Sequence, residues 1–234
     1  MNAMHTTVAS ALAPAAARAP TRSTADAPIR PQRRPMTGHD SWQLTPRVPQ
    51  TNRPILRRIG LWIFYRAGWH FEGALPDLPK FVIIVAHHTS NWDFPIGLAV
   101  KWALGLDVRW LGKDTLFRPP LGWFMRANGG VPVNRASSGN LVERTAHEFA
   151  TRDQFVLVLA PEGTRKRATA WRSGFWHVAK HAGVPICCVA MDWGRRVIRM
   201  GPTITADEDD PAAGIARVRS YFADVQAYDP SRVT

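Results

Sequence analysis

The sequence predicts a layered α/β domain with a mostly parallel central sheet. Short apolar runs rich in Val and Ile alternate with segments of helical periodicity from residue 81 to the C-terminal end. Residues that start or stop helices stand between them, and no stretch repeats itself along the chain. Residues 1–50 differ in kind: they are rich in Ala, Pro, Thr and Arg and show little periodicity. Such a composition buries too little apolar surface to offset the entropy of ordering it. The expected organisation is therefore a disordered tail over 1–50 and one domain over 51–234.

The domain opens with PILRRIGLWIFYRAGWHFEG, which sets Arg57, Arg58 and Arg66 among Ile, Leu, Trp, Phe and Tyr. Pro54 suits a first helical position, and Ile55, Ile59, Trp62, Ile63 and Arg66 recur at helical spacing, so an amphipathic helix is expected over 54–70. A basic, aromatic-rich helix of this kind either lies in a membrane interface or packs on its own core, and the stripe looks the same in both cases. FVIIVA (81–86) reads as a buried strand, and FPIGLAVKWALGL (94–106) as a helix opened by Asp93 and Pro95. DVRWLG (107–112) is a second strand, a helix near 119–127 stops at Gly129–Gly130, and VPV (131–133) is a short third strand. Asn140 and Glu143 form a capping box before a helix with Val142, Ala146, Phe149 and Ala150 on one face. FVLVLA (155–160) is another buried strand. Ser173 caps a helix carrying Phe175, Val178, Ala179 and Ala182, which Gly183 stops. PICCVAM (185–191) and RVIRM (196–200) are the later strands, and Asp210–Pro211 begin a last helix with Ile215, Val218, Phe222 and Val225 inward.

The formal charge of +12 draws the chain to polyanions, whether nucleic acid, anionic lipid or phosphorylated substrates. The excess is concentrated at the front, where residues 1–73 hold ten arginines against three acids. Cys187 and Cys188 are adjacent in an apolar run; a bridge between neighbours is strained and closes no useful loop, so both read as buried thiols suited to a reducing compartment. No run of eighteen apolar residues predicts a spanning helix. The first twenty residues lack the early positive charge and apolar centre of a signal peptide, although their shortage of acids leaves a targeting role open and Met36 is an alternative start.

In α/β sheets chemistry gathers just past the strand ends. After FVIIVA comes AHHTSNWDF, with His88 and Asp93 five positions apart. With the histidine in the turn and the aspartate at the helix start, the two side chains can meet. A carboxylate holding one imidazole nitrogen leaves the other basic and aimed, which suits deprotonation of an alcohol attacking a carbonyl. The plain alternatives are that Asp93 is only a helix cap and His88 an ordinary strand-end histidine. Adjacent His87 raises a metal site, but neighbouring strand residues face opposite ways and no cysteine or carboxylate cluster adds ligands. After FVLVLA comes PEGTRKR (161–167). Gly163 permits a tight turn whose N–H groups can face an anion, Thr164 offers a hydroxyl, and Arg165 matches phosphate oxygens in a bidentate fork. Glu162 can brace the arginine or accept from substrate hydroxyls. Between them lies GGVPVNR (129–135), whose Arg135 is a candidate second phosphate ligand. In isolation either basic tract is also what a solvated surface loop looks like.

Taken in this order, HHTSNWD (87–93), GGVPVNR (129–135), APEGTRKR (160–167) and VPICCVA (184–190) resemble the blocks of the glycerolipid acyltransferases typified by bacterial 1-acyl-sn-glycerol-3-phosphate acyltransferase. The resemblance spans roughly residues 55–205. It implies that His88 is the general base and Asp93 its orienting partner. It implies that Arg135, Glu162, Gly163, Thr164 and Arg165 hold the phosphate and glycerol of a lysolipid acceptor, and that Pro185 shapes a wall of the site. It further implies acyl-CoA or acyl-carrier protein as donor, no metal or bound cofactor, and a peripheral or monotopic place on the cytoplasmic membrane face. The segment 54–73 would then be a docking helix for an anionic surface. The sequence departs from the family pattern at His87 (usually Asn), Ala160 (usually Phe), Lys166 (usually Ser) and Cys188 (often Pro). These leave the chemical roles intact and bear on which acceptor is used: lysophosphatidate, a lyso-ornithine lipid or another lysophospholipid. Two other classes compete. A basic nucleic-acid-binding module fits the charge and the ten tryptophans, but no nucleic-acid motif is evident. A thioester or ester hydrolase would use the same His88 and Asp93.

Overall fold

The computed structural model describes residues 44–133, 141–165, 167–207 and 210–234. The expected tail therefore lies outside the described residues up to position 43, as do Arg135 and Asn140. Seven strands form one sheet in the order β1-β7-β6-β2-β5-β3-β4. They are β1 (His70–Glu72), β2 (Lys80–Ala86), β3 (Arg109–Lys113), β4 (Gly130–Val133), β5 (Phe155–Leu159), β6 (Ile186–Asp192) and β7 (Val197–Ile204). Every pairing is parallel except β6 with β7. The expected α/β domain with a mostly parallel sheet is what the chain forms.

The period-two alternation of β2 sorts the core into two layers. Val82, Ile84 and Ala86 face a cluster with Phe149, Trp176, Cys188 and Phe222, covered by α4 (Leu141–Thr151), α5 (Gly174–Ala182) and α6 (Pro211–Ser220). Phe81 and Ile83 face the other side with Phe64, Ala103 and Cys187, under α1 (Pro54–Arg66) and α2 (Asp93–Leu104). The adjacent cysteines thus point into opposite layers, and both are free and buried. Burial pushes the Cys188 thiol up to about 12 and the Cys187 thiol further, so neither is a thiolate at neutral pH.

Several elements differ in extent from their sequence expectations. The helix expected over 54–70 stops at Arg66; Gly68 takes a left-handed φ of 76°, and Trp69 and Phe71 turn into the core on either side of the start of β1. Three-residue β1 carries too little periodicity to stand out. Ser173 does occupy the cap position of α5, but in a helical conformation that makes no side-chain capping bond. Asp210 caps α6 as expected, accepting from the Ala212 N–H at 2.9 Å. That helix ends at Ser220, so Phe222 and Val225 are buried from the turn that follows. Gly60 lets α1 settle on α2: a Cβ there would stand 2.6 Å from the Ala103 nitrogen. The opposite face of α1 leaves Ile55 and Trp62 mostly exposed, at 72% and 66%.

Candidate active site

Strands β6, β2 and β5 lie side by side and run the same way, so the segments that follow them emerge together. These are Trp193 after β6, the turn 87–92 after β2 and the turn 160–165 after β5. β3 ends on the same edge at the exposed Lys113.

His88 Nδ1 lies 3.1 Å from Asp93 Oδ2. The carboxylate is held by two further donors: the Ser90 N–H reaches Oδ2 at 2.8 Å and the Trp193 indole N–H reaches Oδ1 at 2.9 Å. Trp92, not Asp93, stands at the cap position of α2; Asp93 is the first helical residue and its carboxylate serves the turn before it. It is 4% exposed and accepts from two donors beside the imidazole. An acceptor at Nδ1 places the ring proton there and leaves the lone pair on Nε2. The His88 side chain is 31% exposed, so that nitrogen is accessible from solvent.

Glu162 joins the two turns. Its Oε2 accepts from the His88 backbone N–H at 2.7 Å, and its Oε1 lies 3.1 Å from His87 Nδ1. The residue is 2% exposed, with both oxygens committed to the β2 turn. From the sequence, Glu162 is expected to brace Arg165 or to accept from substrate hydroxyls. Its observed contacts are with the two histidines instead, because adjacent parallel strands bring position 162 directly beside 87 and 88. A second tie is made by Arg165, whose guanidinium donates to the Asn91 side-chain oxygen.

Gly163 has a φ of 64°, the left-handed conformation expected of a tight glycine turn. A Cβ there would sit 2.7 Å from the Arg172 guanidinium nitrogen, so a second exposed cation packs over the turn. Thr164 is half-buried beside it. Asn91, Arg172 and Trp193 also stand at this edge, and no sequence expectation included them. Only Asn91 carried a signal, by lying inside the HHTSNWD tract. Pro185 is a correction. It precedes β6 at the opposite edge of the sheet, where its carbonyl accepts from the Val82 N–H at 2.9 Å, so it cannot line the wall near His88. The strand runs parallel to β2, and it is its far end, Asp192–Trp193, that reaches the site. Among the described residues no group of three or more His, Cys, Asp or Glu could hold a metal ion.

A parallel-sheet α/β domain with an imidazole–carboxylate pair and a cationic glycine turn on one edge has the equipment of a group-transfer enzyme. The Acyltransferase family model matches residues 74–192, just over half of the chain, and the chain belongs to that family. No curated protein sequence matches it significantly. Among solved structures it is similar to the crystal structure of the 1-acyl-sn-glycerophosphate (LPA) acyltransferase PlsC from Thermotoga maritima. The TM-score is 0.52 at 14% identity, over 74% of this chain and 81% of that one, which is a likeness of fold.

Proposed function

We propose that the protein moves a fatty acyl group from a thioester donor, acyl-CoA or acyl-carrier protein, to a hydroxyl of lysophosphatidate or a related lysolipid. The observation that carries this reading is the joining of two turns by one carboxylate: Glu162 fixes the backbone of His88 while Asp93 faces its ring. The Arg165 turn is thereby held against the base.

In this reading His88 Nε2 takes the acceptor's hydroxyl proton as the oxygen attacks the thioester carbonyl carbon. The tetrahedral intermediate collapses with cleavage of the C–S bond, and the departing thiolate recovers the proton from the imidazolium. Ester and free thiol are the products. Asp93 stabilises the imidazolium and keeps its ring aimed. Arg165, with Gly163, Thr164 and Arg135, anchors the acceptor phosphate, and Arg172 joins them on the strength of its place over Gly163. No step requires a metal or a bound cofactor. The exposed Ile55, Ile59 and Trp62 on basic α1 support docking on an anionic membrane surface, with the protein peripheral or monotopic on the cytoplasmic face. Among the described residues no helix is long and apolar enough to cross a membrane.

Purified protein incubated with acyl-CoA or acyl-carrier protein and a panel of lysolipids should release thiol only when an acceptor is present, with a diacylated product of matching mass. Thiol release at an unchanged rate without acceptor would make the protein a hydrolase. For docking, Ile55→Glu/Trp62→Glu should lower flotation with anionic liposomes severalfold; undiminished flotation would place the contact elsewhere, as on the exposed Leu121 and Trp123.

A further inference from the structure

The opposite edge of the sheet carries a feature that acyl transfer leaves unused. A cavity of about 420 Å³ opens there between residues 51–53, the end of α2, the starts of β3 and β4 and the end of α3 (Leu121–Ala127). Four cationic side chains line it, Arg53, Lys101, Arg109 and Arg126, against the single carboxylate of Asp107. That carboxylate is engaged by Arg109 at 3.1 Å. Among the described residues, the side chains of Arg53 and Lys101 have no hydrogen-bond or ion-pair partner. The Lys101 ammonium is held below its ordinary pKa, chiefly by burial and further by the charges of Arg53 and Arg109, with Asp107 opposing.

Helix dipoles account for part of this cluster. Lys101 and Arg126 stand in the last turns of α2 and α3, where a cation is favoured by about 0.3–1 kcal/mol. Arg53 is placed the other way: it is the cap residue of α1, whose first turn has no acid, so its charge meets the positive end of a helix. Arg109 opens β3 and gains nothing from either dipole. A cation at a helix N-terminus, a half-buried ammonium without a hydrogen bond and two more guanidinium groups around one cavity leave a strong positive field with a single counter-charge.

We propose that this cavity is a phosphate-binding site separate from the catalytic edge. Guanidinium groups bind phosphate oxygens in bidentate fashion and an ammonium adds a point charge, so the four side chains match a phosphate monoester or diester. The volume is that of a small-ligand site. Lys101 lies eight residues beyond Asp93 along α2, about 12 Å at 1.5 Å per residue, so this is not the acceptor phosphate at Arg165. Phosphate can arrive here from two sources. Arg53 leads directly into α1 with its exposed Ile55, which favours a lipid headgroup, and the open cavity also admits a soluble phosphate ester. The assignment does not depend on acyl transfer.

Titration of the full chain with inorganic phosphate tests the soluble arm, by calorimetry and by the rise in Tm. Phosphatidylcholine vesicles with and without phosphatidic acid test the lipid arm. In an Arg165→Ala background, which removes the acceptor's own phosphate anchor, Arg53→Gln/Lys101→Gln should weaken whichever binding remains by at least about tenfold. Arg126→Gln, on another helix, should weaken it as well, which guards against a local fault in the double variant. Saturable phosphate binding lost in the double variant assigns a soluble ligand; a phosphatidic acid preference alone, lost in the same variant, assigns a headgroup. The proposal is overturned if the Arg165→Ala protein shows neither, or if adding Arg53→Gln/Lys101→Gln leaves what it shows unchanged.

Discussion

Two histidines leave the end of β2 side by side, and each meets a carboxylate at 3.1 Å, His87 with Glu162 and His88 with Asp93. Their second nitrogens part them. His87 is 6% exposed, and its Nε2 turns inward to the Phe222 carbonyl at 3.3 Å. His88 stands one residue further out, and among the described residues its Nε2 has no partner. The same pair of functional groups thus serves as a brace in one place and offers an accessible base in the other. What an imidazole–carboxylate pair can do is decided by where the nitrogen away from the carboxylate points.

The sharpest way to break this contrast is to remove each ring in turn. His88→Ala should lower turnover by about 10²–10⁴-fold, the usual contribution of a general base, with Tm close to wild type because the ring is partly exposed. His87→Ala should do the reverse in kind, lowering Tm first. A His88→Ala enzyme with normal turnover would remove that residue from the chemistry and leave the two histidines without a functional difference.

Glu162→Ala is expected to come next in size. It strips the acceptor from two interior donors, the His88 N–H and the His87 ring, and an unsatisfied buried group costs about 1–3 kcal/mol. Thermal or urea unfolding should show that loss, and turnover should fall because the turn carrying His88 loses its anchor. If stability falls and turnover per folded molecule does not, the Asp93 contact alone holds His88 in place.

How much of this was legible in the sequence depends on whether a contact is local. The strands at 81–86, 155–160 and 185–191 stood out because a strand buried on both faces is a continuous apolar run. The His88–Asp93 contact spans a turn and a helix start, so its spacing was enough to suggest it. Glu162 was visible as part of a motif but not as a brace, since that role needs β2 and β5 to be neighbours across 74 residues of chain. The resemblance that makes Pro185 a wall of the site fails for the same reason: a motif's residues do not show which end of a strand faces the site. The helix at 54 ran short because Trp69 and Phe71, which extend the aromatic pattern, are recruited by the core and not by the helix.

Trp193 tests the contrast most finely, because it touches only the carboxylate of the accessible pair. Its indole N–H donates to Asp93 Oδ1, while its ring packs edge-on against Trp69 and Tyr228, with centroids 5.0 Å and 4.8 Å away. Trp193→Phe keeps an aromatic ring in that stack and deletes the donor. A neutral hydrogen bond contributes about 1 kcal/mol, and one to a charged group somewhat more, so kcat should fall by about three- to tenfold. Acceptor KM and Tm should hold, since neither the cationic turn nor the packing is altered. Trp193→Ala would lower Tm as well, because it also removes the ring. A Trp193→Phe enzyme with wild-type kcat would show that Ser90 and the helix start suffice to hold Asp93, and that the indole is there for packing alone.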